Sequence, residues 1–123
     1  MASCRVYNRL AEWIGHVEQE GGYYNIYRGW TDHVGWMEQE GGYYTVYQAE
    51  THQCIGRVRP EGADYRVYRT WTDLVGHLRR EGGQYRIYRA RAGLVGMVEL
   101  ENTIQVIPLL LCGGAALLLL LSV

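Results

Sequence analysis

Tyr65-Arg66-Val67-Tyr68, Leu74-Val75-Gly76-His77-Leu78 and Glu81-Gly82-Gly83 are the three telling parts of one unit, residues 65–84, and that unit decides the fold. The first part is aromatic and β-branched, as strands prefer; the second is a shorter apolar run around a glycine; the third is a turn signal. The same order recurs through Cys4-Arg5-Val6-Tyr7, Tyr24-Asn25-Ile26-Tyr27, Tyr44-Thr45-Val46-Tyr47 and Tyr85-Arg86-Ile87-Tyr88. Each of these is followed in its own unit by a glycine: Gly15, Gly35, Gly56 or Gly96. The units therefore run over residues 4–23, 24–43, 44–64, 65–84 and 85–103, five in all. A fixed period of this size marks an array of small supersecondary pieces that bury their apolar faces only against each other.

Each unit reads as two strands, so the fold class is all-β: an antiparallel meander of 10–11 strands over residues 1–103. Closure into a barrel removes the edge strands and is the favoured form; a solenoid of stacked hairpins is the alternative. Treating Glu-Gly-Gly as a three-residue loop sets Arg80 against Gln84 and places each mid-strand glycine under a bulky residue of the next strand. The expected pairs are Gly15–Tyr27, Gly35–Tyr47, Gly56–Tyr68, Gly76–Tyr88 and, through a Glu101-Asn102 loop, Gly96–Ile107. In that register one face carries Leu74, Gly76, Leu78 and Tyr88, and the other Val75, His77, Tyr85 and Ile87. Both faces are half apolar, which a sheet with one wet side should not be.

Residues 104–123 are of a different kind. The last charged residue is Glu101, and Pro108 precedes Leu109-Leu110-Leu111-Cys112-Gly113-Gly114-Ala115-Ala116 and five further leucines. Twenty residues at about 1.5 Å each could cross a hydrocarbon core of about 30 Å. The segment is read as an apolar helix and a C-terminal membrane anchor from about residue 108. Burial in the protein, or contact with another subunit, is the alternative.

Net charge is −1, but it is unevenly spread: residues 1–55 sum to −4 and residues 56–98 to +5. All twelve basic residues are Arg, and eleven Tyr and four Trp stand beside no Phe. Arg and Tyr both join a flat face to hydrogen-bonding groups, as recognition surfaces do. Arg57, Arg59, Arg66, Arg69, Arg79, Arg80, Arg86 and Arg89 are the candidate surface for an anionic partner, with lipid headgroups or a protein as its source; nucleic acid is the weakest option. Trp30, Trp36, Tyr43, Tyr44 and Trp71 are the candidate aromatic ligand surface. The stretch Gly35-Trp36-Met37-Glu38-Gln39-Glu40-Gly41-Gly42-Tyr43-Tyr44 resembles the Gly-Trp…Gly-x-Tyr-Tyr pattern of choline- and glucan-binding wall repeats. Those units are of similar length and form stacked hairpins. The likeness covers ten residues of the second unit and is one of hairpin design.

Cys4, Cys54 and Cys112 are odd in number and lack CxxC spacing, which points to free thiols and a reducing, cytoplasmic compartment. His52-Gln53-Cys54 lacks the further partners a metal or a Cys–His nucleophile needs. A repeat makes the environments of its carboxylates alike, whereas acid–base catalysis needs them different. No catalytic, cofactor-binding or metal-ligating residues are expected. The functional expectation is a non-enzymatic binding or assembly module tethered to a membrane by its tail, with self-association as an option. The alternative is a soluble barrel for a glycan or other small ligand, with the tail buried or in a subunit contact.

Overall fold

The computed structural model describes residues 3–62, 64–69, 72–81, 84–100 and 107–121. Trp71, the Gly82-Gly83 turn, the Glu101-Asn102 loop and residues 104–106 lie outside the described residues. Ten strands follow one another: β1 (Ser3–Asn8), β2 (Trp13–Glu20), β3 (Tyr23–Arg28), β4 (Asp32–Glu40), β5 (Tyr43–Gln48), β6 (Cys54–Glu61), β7 (Asp64–Tyr68), β8 (Leu74–Glu81), β9 (Gln84–Arg89) and β10 (Gly93–Leu100). Each hydrogen-bonds to its sequence neighbours, and β1 pairs with β10 through Cys4–Leu100 and Val6–Val98, so the meander is a closed barrel and not a solenoid. One helix, α1 (Ile107–Leu119), completes the fold.

The hairpin turns are one residue shorter than the sequence reading sets them. Glu20 pairs with Tyr23 and Glu40 with Tyr43, leaving a two-residue Gly-Gly turn. Gly21 has φ 63° and Gly41 φ 61°, the left-handed first position of a type II′ turn. A shift of one residue changes every facing pair. Gly15 therefore opposes Arg28 and not Tyr27, and Gly35 opposes Gln48. Gly76 likewise opposes Arg89, while Arg57, not Gly56, faces Tyr68. Gly96 pairs with Ile87 and Asn8; Ile107 begins α1 and takes no part in the sheet.

The corrected register resolves the two half-apolar faces. Val6, Val17, Ile26, Met37, Val46, Val58, Val67, Leu78, Ile87 and Val98 point inward, one per strand, all with no exposed area. A β-bulge recurs in every unit beside the glycine: Ile26 pairs with Gly35 but Tyr27 with His33, and Val67 with Gly76 but Tyr68 with Leu74. The extra residue (Ile14, Val34, Ile55, Val75 or Val95) packs on the core next to the glycine. Five such bulges bend the sheet on itself.

α1 fills the barrel. With strands about 4.8 Å apart and tilted about 40°, ten of them enclose a radius of roughly 10 Å. That is also the upper end of the 8–10 Å at which helices pack. Wall and helix are complementary in size along the axis. Beside the Val/Ile/Leu layer the helix is small: a Cβ on Gly113 would lie 2.8 Å from Val98 and 3.2 Å from the Cys4 sulfur, and one on Gly114 2.2 Å from Leu78. Beside the five wall glycines the helix is large. Gly96, Gly76, Gly56, Gly35 and Gly15 face Leu117, Leu118, Leu119, Leu120 and Leu121, one leucine per unit in order. Leu117 to Leu119 close α1 and Leu120 and Leu121 follow it, and in that order the five meet the wall from β10 through β8, β6 and β4 to β2. The five-fold repeat of the barrel and the five-leucine run are two halves of one packing scheme.

Leu110, Leu111, Cys112, Ala115, Ala116, Leu117, Leu118 and Leu121 of the tail are buried inside the barrel, the alternative that the sequence reading set beside a membrane anchor. A helix apolar on all sides suits lipid and a protein core equally, and sequence alone does not separate them. Among the described residues no helix is long and apolar enough to cross a membrane.

At the tight-turn end, Tyr24, Tyr44, Tyr65 and Tyr85 occupy equivalent inward positions, and Cys4 takes that place in the first unit. The Cys112 thiol donates to the Tyr24 carbonyl oxygen at 3.6 Å. Burial, with Cys4 nearby, pushes this thiol well above its ordinary value of 9.0. Burial also raises the Tyr24, Tyr44 and Tyr85 phenols above 10.0. Their neutral form is the one the folded state favours, so this stabilisation is complete below pH 10.0 and is lost as pH rises through the raised values. A spectrophotometric titration should show a fraction of the tyrosines ionising late, together with unfolding; uniform ionisation near 10.0 in the folded protein would contradict the inward ring.

Candidate functional site

The second Tyr of each unit points outward. Tyr27 stacks on His16 with ring centroids 4.9 Å apart, Tyr47 on Trp36 at 5.2 Å and Tyr88 on His77 at 5.1 Å, while the Arg59 guanidinium lies 4.2 Å over the Tyr68 ring. The residue after each glycine can thus be His or Trp because its task is to lay a flat group on a ring. Tyr88 donates to Glu81 at 2.5 Å and Tyr27 to Glu20 at 3.4 Å, and Tyr68 donates to Glu61. Glu20, Glu61 and Glu81 therefore hold the hairpin walls as well as bordering the turns.

The arginines of the anionic-partner surface divide into groups. Arg59 and Arg66 face each other across β6 and β7, as do Arg79 and Arg86 across β8 and β9. Like charges so placed repel, and carboxylates sit between them. Glu61 lies 3.7 Å from Arg59 and 3.6 Å from Arg66; Asp64 lies 3.4 Å from Arg79, and Glu81 3.8 Å from Arg86. Arg57 is on the same outer wall, and Arg80 stands exposed at the tight-turn end. Arg69 and Arg89 belong elsewhere, at the mouth where α1 ends.

The aromatic surface is not brought together either. Trp36 is on the outer wall, and Tyr43 is half-buried at the tight-turn end. Tyr44 is inward, and Trp30, 68% exposed, lies at the mouth 4.6 Å from Trp13.

At the mouth, equivalent positions of all five units gather around the end of α1. Asn8, Arg28, Gln48, Arg69 and Arg89 each follow the outward Tyr and point inward past the glycine layer. The sequence reading missed Asn8, Arg28 and Gln48. The signal was there in the two-residue period, since each of the five lies two positions after an inward Val or Ile. Arg28 donates to the Leu120 carbonyl oxygen at 2.8 Å and lies 3.8 Å from Asp32. It so covers the negative end of the helix.

Between this ring and α1 opens a cleft of about 600 Å³. Its walls are Trp13 and Ile14 of β2, Val95 of β10, Leu117 of α1 and Leu121 just after it; the link between β1 and β2 supplies Arg9 and Leu10 as a lip. Leu10 is 71% exposed. Asn8 Oδ1 accepts from the Leu10 and Glu12 amides at 3.0 Å, which holds that link in shape. Arg9, Arg28 and Arg89 stand at the rim of an otherwise apolar space. Smaller clefts beside Arg69 and Gln48 continue round the same mouth. No protein-family model, no curated protein and no solved structure matches the chain.

Proposed function

We propose that the chain is a non-enzymatic binding barrel that takes a small ligand at the mouth where α1 ends, with its apolar C-terminal segment serving as its own core. The 600 Å³ cleft carries this reading. Its size lies within the range of small-molecule sites, and it combines apolar walls with a few converging polar groups, as such sites do. Those groups are guanidinium and amide donors, which suit holding and orienting a ligand.

The test is binding of N-phenyl-1-naphthylamine, a neutral apolar probe, to the full chain. Saturable binding near one per chain is expected, with energy transfer from Trp13. Val95→Trp, which fills the cleft, should abolish it while the thermal transition is kept. Binding that survives Val95→Trp, or no binding at all, would remove the mouth as a ligand site.

A membrane tether through residues 104–123 is a competing proposal that requires α1 to leave the barrel. Flotation of the full chain with liposomes would favour it over the reading of α1 as core.

A further inference from the structure

From the chemistry of the mouth, and resting on its reading as a ligand site, we infer that the ligand is a single-chain amphiphile with a carboxylate head. Leu117 lies in the last turn of α1 and Leu121 just past its end, and both line the cleft. The cleft runs between these two leucines and the wall, with Trp13 and Ile14 on the β2 side and Val95 on the β10 side. An unbranched hydrocarbon chain fits such a trough and gains from leaving water. Each methylene buried is worth a factor of about four in affinity.

The head is specified by what stands at the open end. Arg28 is engaged with the Leu120 carbonyl and Asp32. Arg9 and Arg89 line the same cleft, and among the described residues neither side chain has a hydrogen-bond or ion-pair partner. Two guanidinium groups beside an apolar trough match a carboxylate, which accepts paired N–H bonds from Arg. The carbonyl end of α1 makes the floor of the mouth negative, so an anion without a chain is repelled there. A head held at the rim by Arg9 and Arg89, with the chain running down along Leu121 to Leu117, meets both conditions.

Calorimetric titration of the full chain with decanoate, decanol and decyltrimethylammonium, each below its aggregation concentration, tests this. Decanoate should bind near one per chain, at least tenfold tighter than decanol and tighter still than the ammonium. Affinity should rise about fourfold per methylene from hexanoate until the cleft is full. Arg9→Gln, on the exposed link, and Arg89→Gln should each erase most of the preference for decanoate over decanol and leave decanol binding unchanged. Equal affinity for all three decyl compounds, or a preference untouched by both variants, would overturn the carboxylate assignment. If N-phenyl-1-naphthylamine binds and decanoate does not, the carboxylate assignment fails and the ligand site stands; if neither binds, both fail.

Discussion

Removing residues 107–123 is expected to abolish cooperative folding of the barrel. Leu110, Leu111, Cys112, Ala115, Ala116, Leu117, Leu118 and Leu121 are each at most 4% exposed and belong to the same buried cluster as the strand wall. A single buried Leu→Ala change costs about 2–5 kcal/mol. Loss of five such leucines, about 10–25 kcal/mol in all, matches or exceeds the whole stability of an ordinary domain, about 5–15 kcal/mol. The emptied interior would also expose the ten-residue Val/Ile/Leu/Met layer and the wall glycines, with no side chains to collapse inward from the glycine layer. The truncated chain should lack a calorimetric transition and near-ultraviolet circular dichroism, and should bind hydrophobic dyes or aggregate. A truncated chain that melts cooperatively near the full-length temperature would show that the helix is an appendage and not the core.

Gly76→Ala should be among the most damaging single changes available to this chain. A Cβ there would lie 2.2 Å from the Tyr88 carbonyl oxygen and 2.9 Å from Leu118 Cδ1. The leucine can turn aside; the carbonyl belongs to the neighbouring strand and cannot move without breaking the ladder. Overpacking typically costs about 1–3 kcal/mol, and a backbone clash puts this case at the upper end or beyond. The expected fall in melting temperature is roughly 10–20 °C. Gly22→Ala is the control, since nothing lies within 4 Å of that Cβ and the residue is outside the left-handed region; its effect should stay within about 1 kcal/mol. Gly76→Ala combined with Leu118→Ala should cost less than the two single changes added, by about 0.5–3 kcal/mol, because the side-chain half of the clash is gone. Strict additivity in denaturant unfolding would mean that Gly76 and Leu118 do not meet.

Much of the architecture was legible in the residues. Tyr-x-Val/Ile-Tyr and the Gly-Gly turns announce ten strands, and the unpaired edges of a meander argue for closure. The face assignment went astray through one residue. Counting Glu81 into the loop moved Tyr88 onto the glycine face, and the glycines then seemed to need aromatic cover. In the structure Leu118 fills the space at Gly76, while Tyr88 stacks on His77 outside. The bulge before each glycine was also invisible to a two-residue period, because a bulge is an interruption of that period.

The candidate sites divide in the same way. Residue type alone gathered eight arginines into one surface, but Arg59, Arg66, Arg79 and Arg86 prove to be held among Glu61, Asp64 and Glu81 on the outer wall. Arg69 and Arg89 join Arg28 at the mouth, with Arg9 coming from a link that no periodicity describes. Trp13 and Val95 are far apart in sequence and meet at one cleft only because the last strand closes on the first.

The order of the strands and the places where the chain reverses follow from the residues alone, because they depend on neighbours within a few positions: β-branched runs, paired glycines, a fixed period. The choice of inner face and the destination of the leucine-rich tail depend instead on the width of a ten-stranded ring. That width exists only once the first and last strands have met, and it then admits one helix, small where the wall is bulky and bulky where the wall is glycine.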